Sequence, residues 1–150
     1  MWTFEITTGK LLDTAEVVRG IGYSGGDCGK RPDAVNNPLC EAVVDVGPIV
    51  EGRYTADYLK PSHSRLGQFA VHLAPDAATA SKIAGYGRDP DSFYMHGDSV
   101  VFPGQRAASD GCVIMSLDIR QEFWRGIDHD LEVVASLDPS QNSVSGTRGN

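Results

Sequence analysis

The strongest constraint on what this chain can fold into is a two-residue period in its apolar residues. Trp2, Phe4 and Ile6 alternate with Thr3, Glu5 and Thr7, the spacing of a half-buried strand. Gly9-Lys10 then turns the chain into Leu11-Leu12, so an opening hairpin is expected, with Val17, Val18 and Ile21 supplying more strand. Glu41 to Val46, Arg53 to Leu59 and Leu131 to Ala135 also read as strands, with Tyr54 and Tyr58 on one face. Gln68 to Leu73 places Phe69, Val71 and Leu73 on one side, and Gln68, Ala70 and His72 on the other. His72 thereby faces either solvent or a cleft, with plain polar-face placement the simpler reading, and Pro61 to Ser64 reads as a turn that leaves His63 solvated.

Only two stretches carry helical signals. Pro75 to Ala84 is Ala-rich and opened by Asp76. The second starts after Ser116, an N-cap residue, with Asp118 in its first turn and Gly126 closing it. Ile119, Phe123 and Ile127 recur at fours and form its apolar stripe. Gly25 to Leu39 has neither period and reads as a long exposed loop. The expected fold is mainly β, a sandwich or irregular barrel with one or two short helices, in a single domain over 1–136 with a flexible tail over 137–150.

Composition removes several classes of function. The formal net charge is −7 and no Lys/Arg run exceeds two residues, so a phosphate backbone or an anionic bilayer finds no basic footprint. Nucleic acid and membrane insertion are not expected. The first residues carry no basic region followed by a long apolar run, so no secretory signal is expected either. Three cysteines leave one over if Cys28 and Cys40 pair in an oxidising compartment; three reduced thiols are an equal alternative.

The chemistry concentrates in Phe93 to Met115, FYMHGDSVVFPGQRAASDGCVIM. Cys112 lies between a turn and a buried run, sixteen residues after His96. A thiol is the best suited side-chain nucleophile at neutral pH, and an imidazole is its usual base. Gly97 lets the chain turn after the histidine, and Gly111 leaves the amide before the thiol unshielded, which is how an oxyanion hole is built. The same cysteine beside Val-Ile-Met also reads as a small buried hydrophobe in a non-catalytic binding module.

The order His96-Gly97, then Ser109-Asp110-Gly111-Cys112 and apolar residues, resembles the catalytic domain of the L,D-transpeptidase family. Asp110 stands where that family has a second His, and Ile114 where it has an Arg. These departures resemble a divergent branch, the L,D-transpeptidase-like effectors that bacteria deliver through type VI secretion. The WTFEITTGKL opening, the GYSGG loop, Asn36-Asn37-Pro38 and the Gly47-Pro48-Ile49 to Gly52-Arg53-Tyr54 turn resemble it too.

That resemblance implies a cysteine-dependent acyl transferase or hydrolase acting on peptidoglycan stem peptides. Cys112 would attack the carbonyl between the diamino acid residue and a terminal D-residue, and His96 would shuttle the proton. The Cys112 and Gly111 amides would hold the oxyanion, the carbonyl of Asp110 or Ser109 would orient the imidazole, and Asp98 is a rival orienter. Gly97, Asp98, Arg106, Tyr23 and Asn37 are candidate substrate contacts, with Arg106 or Arg120 compensating for Ile114. No cofactor and no metal are implied; the partners are stem peptides, with a cognate immunity protein and secretion machinery. The enzyme would be made in the cytoplasm and act in the periplasm of a target cell.

Other classes fit less well. Papain-like enzymes place the nucleophile before the histidine, and only His129 follows Cys112. A zinc site would need His72 or His63 beside His96, Asp98 and Cys112, without Cys-x-x-Cys or His-Glu-x-x-His spacing. A cysteine phosphatase needs an Arg soon after the thiol, and the next is Arg120.

Overall fold

The computed structural model describes residues 1–63 and 66–137, and of 61–63 the backbone alone. The opening alternation forms the hairpin it predicts, β1 (Trp2–Glu5) and β2 (Lys10–Leu12), followed by β3 (Val18–Ile21) and β4 (Tyr23–Ser24). Three 3-10 turns, Asp27–Gly29, Pro32–Ala34 and Pro38–Cys40, lead to β5 (Gly52–His63) and β6 (Gly67–Pro75). Then come α1 (Ala77–Gly85), β7 (Tyr94–His96), β8 (Val113–Ile114), α2 (Leu117–Arg125) and β9 (Asp130–Val134).

These strands make one mixed sheet in the order β3-β2-β1-β9-β5-β6-β7-β8-β4. Only β1 with β9 and β7 with β8 run parallel. The two outermost strands, β3 and β4, are consecutive in sequence with Gly22 alone between them, so the sheet curls until its edges meet. The Gly22 amide donates to the Gly9 carbonyl oxygen at 2.7 Å on the β2 side. On the β8 side a Cβ at Gly22 would lie 1.7 Å from the Ile114 oxygen, so no larger residue fits that seam. The mainly β expectation holds, and the closed sheet is an irregular barrel that leaves few open edges.

Its interior is a ladder of cross-strand apolar pairs. Phe4 lies opposite Leu11 and Val133, and Leu131 opposite Trp2 and Tyr54. Further round, Val71 faces Met95, which faces Val113, and all of these side chains are buried. From α2, Phe123 packs edge-on against Trp2 with ring centres 5.2 Å apart. Arg120, one turn earlier, is buried and its guanidinium donates to the carbonyl oxygens of Phe69, Met115 and Gln68. It therefore ties β6 to the end of β8 and is not a free counter-charge for substrate. In α1 the Asp76 carboxylate accepts from the Thr79 amide at 2.9 Å, the N-cap the sequence indicates.

Four local expectations are corrected. Glu41 to Val46 forms turns, not a strand, because the ladder groups it would need are already engaged. The Arg88 guanidinium takes the carbonyl oxygens of Glu41, Gly47 and Pro48, and Val43 and Val44 point to solvent. The turn expected at Pro61 to Ser64 is replaced by continued β5 as far as His63; Ser64 and the His63 side chain lie outside what is described. Gly25 to Leu39 is not wholly exposed, since Gly25, Gly26 and Ala34 are buried under its three turns. Ile127 is fully exposed rather than part of the α2 stripe, because the helix ends at Arg125 and Gly126 leaves it in extended backbone.

The tail from 138 onward lies outside the described residues. Among the described residues no helix is long and apolar enough to cross a membrane. Phe123 is fully buried against Trp2, so Phe123→Ala should lower the unfolding free energy by about 3–5 kcal/mol. Urea unfolding monitored by far-UV circular dichroism measures the loss.

Candidate active site

The sixteen-residue gap between His96 and Cys112 has a structural cause. β7 and β8 run parallel and adjacent, and parallel neighbours need a connection of a dozen residues or more. The register pairs Met95 with Val113 and His96 with Ile114, which continues to Tyr94 level with Cys112. Because side chains alternate faces, Met95 and Val113 enter the core while His96 and Cys112 share the other face. Strand spacing and rise put their Cα atoms about 8 Å apart, within the joint reach of an imidazole and a thiol.

Extending the registers gives two rows across that outer face. Tyr58, His72, Tyr94 and Cys112 form one; Lys60, Ala70, His96, Ile114 and Tyr23 form the next. Loops roof both rows, leaving Cys112 5% and His96 3% exposed.

The His96 ring is oriented by its own neighbour. Nδ1 lies 2.9 Å from the Gly97 carbonyl oxygen, which only accepts, so Nδ1 carries the proton and Nε2 of the neutral ring is the basic nitrogen. Gly97 thus takes the role expected of the Asp110 or Ser109 carbonyl. Those carbonyls are engaged elsewhere: Asp110 with Arg88 at 3.4 Å and Ser109 with the Cys28 amide at 2.9 Å. The Cys112 thiol donates to the Ser92 carbonyl oxygen at 3.6 Å. Cys112 lines a hollow of about 490 Å³ with Tyr94, Lys60 and Arg88. His96 lines an adjoining one of about 380 Å³ with Gly97 and Asp98, and Asp110 and Leu66 border both.

Ser109 holds the turn before the thiol. Its fully buried hydroxyl accepts from the Gly25 amide at 2.8 Å and the Gly111 amide at 3.1 Å, and donates to the Cys112 carbonyl at 2.6 Å. The Gly111 amide is therefore spent on Ser109 and is not an oxyanion donor. Gly111 is needed for another reason: a Cβ there would sit 2.5 Å from Arg88 Nη2 in a backbone with φ +150°. Arg88 is the site residue that sequence reasoning misses. It is 6% exposed, lies over the Phe93 ring at 5.0 Å, and has no carboxylate within salt-bridge distance among the described residues. Burial pulls its pKa below the ordinary arginine value, yet a guanidinium stays charged, so a buried positive charge stands beside Gly111. The dipeptide Gly87-Arg88 carries no motif that flags it.

The predicted substrate contacts separate into different roles. Tyr23 is buried; its hydroxyl donates to the Asp98 carboxylate at 2.7 Å and accepts from the Ala108 amide at 3.0 Å. Asp98 also accepts from the Gly104 amide at 2.9 Å. Together they staple both ends of the 97–108 excursion; Tyr23 is buried in doing so, while Asp98 stays exposed on the hollow that His96 lines. Asn37 caps the Pro38–Cys40 turn through the Leu39 amide and donates to the Asp33 carbonyl, away from the thiol's hollow. Arg106 is exposed and lines a different hollow with Tyr23 and Met115. His129 lies against the carbonyls of Ala56 and Trp124, away from Cys112's hollow. Cys28 and Cys40 hold thiols and not a shared disulfide. Among the described residues no cluster of three His, Cys, Asp or Glu side chains is placed to bind a metal.

No protein-family model matches the sequence, and no curated protein matches it.

Asp98 reports on the staple. Burial opposes its ionisation, but the Gly104 amide, the Tyr23 hydroxyl and the Ser99 amide more than offset that and hold the carboxyl below its ordinary range. A depressed folded pKa stabilises the fold above the unfolded pKa, and that stability is lost as pH falls through the folded value. Asp98→Asn should therefore melt below the wild type at neutral pH, and the gap should close as pH falls into the acid range. Thermal unfolding across pH checks both the sign and the convergence.

Proposed function

We propose that the protein is a cysteine acyl transferase or hydrolase of the L,D-transpeptidase type, with Cys112 as nucleophile and His96 as base. The observation that carries this reading is the pairing of β7 with β8. It sets both side chains on one roofed face, with the Gly97 carbonyl leaving Nε2 as the basic nitrogen. His96 would take the thiol proton, Cys112 would attack an amide carbonyl, and the imidazolium would return the proton to the departing amine. Water or an amine then takes the acyl group, giving trimming or exchange and cross-linking. With Gly111 excluded, the Cys112 amide is the local oxyanion donor, assisted by the buried Arg88 charge.

The substrate class rests on the likeness of His96-Gly97 and Ser109-x-Gly111-Cys112 to the family motif: peptidoglycan stem peptides cut before a terminal D-residue. Action in a target cell's periplasm, with delivery by secretion machinery and an immunity protein as partner, belongs to the same proposal. A binding module with a buried thiol is the second reading, favoured by the low exposure of Cys112 and its bond to Ser92.

Purified protein incubated with tetrapeptide muropeptides should remove the terminal D-alanine or exchange it for an added D-amino acid, read by mass spectrometry. Cys112→Ala should abolish the change, and His96→Ala should slow it about 10²–10⁴-fold. Unaltered fragments with an intact Cys112 mass would favour the binding module.

A further inference from the structure

A second histidine stands in the same row as the thiol. His72 is 2% exposed and lies between Tyr58 and Tyr94 across the sheet, stacked on Tyr58 at 4.5 Å and edge-on to Tyr94 at 4.9 Å. The two-residue period leaves it facing solvent or a cleft; in the fold the face is covered, with two tyrosines against the ring. At this level β5 carries an extra residue, because the register steps from Ala56 opposite Leu73 to Tyr58 opposite His72 and skips Asp57. A bulge of this kind re-aims a side chain, and Asp57 Oδ1 lies 2.6 Å from His72 Nδ1. On the other side His72 Nε2 lies 3.0 Å from the Asp91 carbonyl oxygen and 3.0 Å from its carboxylate. All three oxygens only accept. Both sides are therefore bonded together only when both ring nitrogens carry a proton.

The segment held in this way touches the thiol. Asp91 precedes Ser92, whose carbonyl oxygen accepts from Cys112 Sγ, and both residues line the Cys112 hollow. We propose that His72, gripped between Asp57 and Asp91, is a positioning residue: bonded through both ring nitrogens, it fixes the Asp91-Ser92 segment against the Cys112 thiol. The clamp acts on the thiol itself, whatever carbonyl the thiol attacks.

The groups facing His72 are Asp57 and Tyr58 from β5, Asp91 from the segment before β7, and Tyr94 from β7. Lys60 stands over the far ring, 5.4 Å from the centre of Tyr94. Tyr58 and Tyr94 share a hydroxyl hydrogen bond of 2.8 Å. That bond first, and burial second, push the Tyr58 phenol up to about 12, so it stays neutral at neutral pH. Asp57 and Asp91 have side chains 42% and 82% exposed. Solvent protons thus reach the site, and screening keeps each bond modest.

The test is iodoacetamide alkylation of the full chain, with Cys112 and the exposed Cys28 followed by peptide mass spectrometry and the rate of Cys28 as internal reference. At one fixed pH, His72→Gln should raise the Cys112 to Cys28 rate ratio about fivefold, the factor carried by one exposed charged pair. Asp91→Asn, at an exposed side chain, should raise it in the same direction and carries the test if His72→Gln does not fold. Nitrogen NMR of the wild type should show a proton on both His72 ring nitrogens, the signature that the two-sided grip requires. Equal ratios in wild type and variants, or a ring with one bare nitrogen, would overturn the proposal.

Discussion

The closure of the sheet at Gly22 is the contact on which the rest of the molecule depends. Two edge strands that follow one another in sequence can belong to opposite ends of a nine-stranded sheet only if the sheet curls round to meet itself. The meeting point has no space: Gly22 bonds Gly9 on one side and abuts the Ile114 carbonyl on the other. That seam seats β4 against β8, and with it the Tyr23 and Ser24 side chains against the segment that bears Cys112. Closure also separates the two faces of each strand, one into the apolar interior and one outward under the loops.

On the outward face the parallel pairing of β7 with β8 brings distant residues together. It demands a long connection, and that connection is itself held by short polar bonds: Asp98 to Tyr23 and Gly104, Tyr23 to Ala108, and Ser109 to Gly25, Gly111 and Cys112. Arg88 performs the matching task beside Gly111 by gathering the carbonyls of Glu41, Gly47, Pro48 and Asp110. Burying a guanidinium is costly, and satisfying it with several carbonyl oxygens is what makes the placement tolerable. Loop positions that no period would specify are therefore set by side-chain to backbone bonds, and they place the turn before Cys112 to within the reach of those bonds.

Strands whose alternation is local are legible in the amino-acid sequence. The opening hairpin, β6, β9 and both helices lie where the two-residue period and the capping residues put them. The failures have separate causes. Glu41 to Val46 has strand-like apolar residues, yet Arg88 takes the Glu41 carbonyl, the Gly26 amide takes that of Val46, and local turns take that of Val43. Ile127 continues a helical spacing past the point where Gly126 ends the helix. His72 sits on the polar face of its strand as the period requires, but period alone says nothing of the tyrosines and loops that bury it.

The candidate site divides in the same way. The sequence by itself determined that Cys112 lies between a turn and a buried apolar run and that glycines adjoin both it and His96, because turn chemistry and apolar patterning act within a few residues. Only the tertiary structure decided that those strands are parallel neighbours, that Gly97 and not Asp110 orients the imidazole, that Ser109 occupies the Gly111 amide, and that Arg88 stands beside Gly111. The register and the Arg88 bonds join segments far apart in the chain, and even the short bonds of His96 to Gly97 and Ser109 to Gly111 depend on how the surrounding loops are held. Their partners are chosen by which backbone groups the closed sheet leaves to be satisfied, and no local pattern encodes that choice.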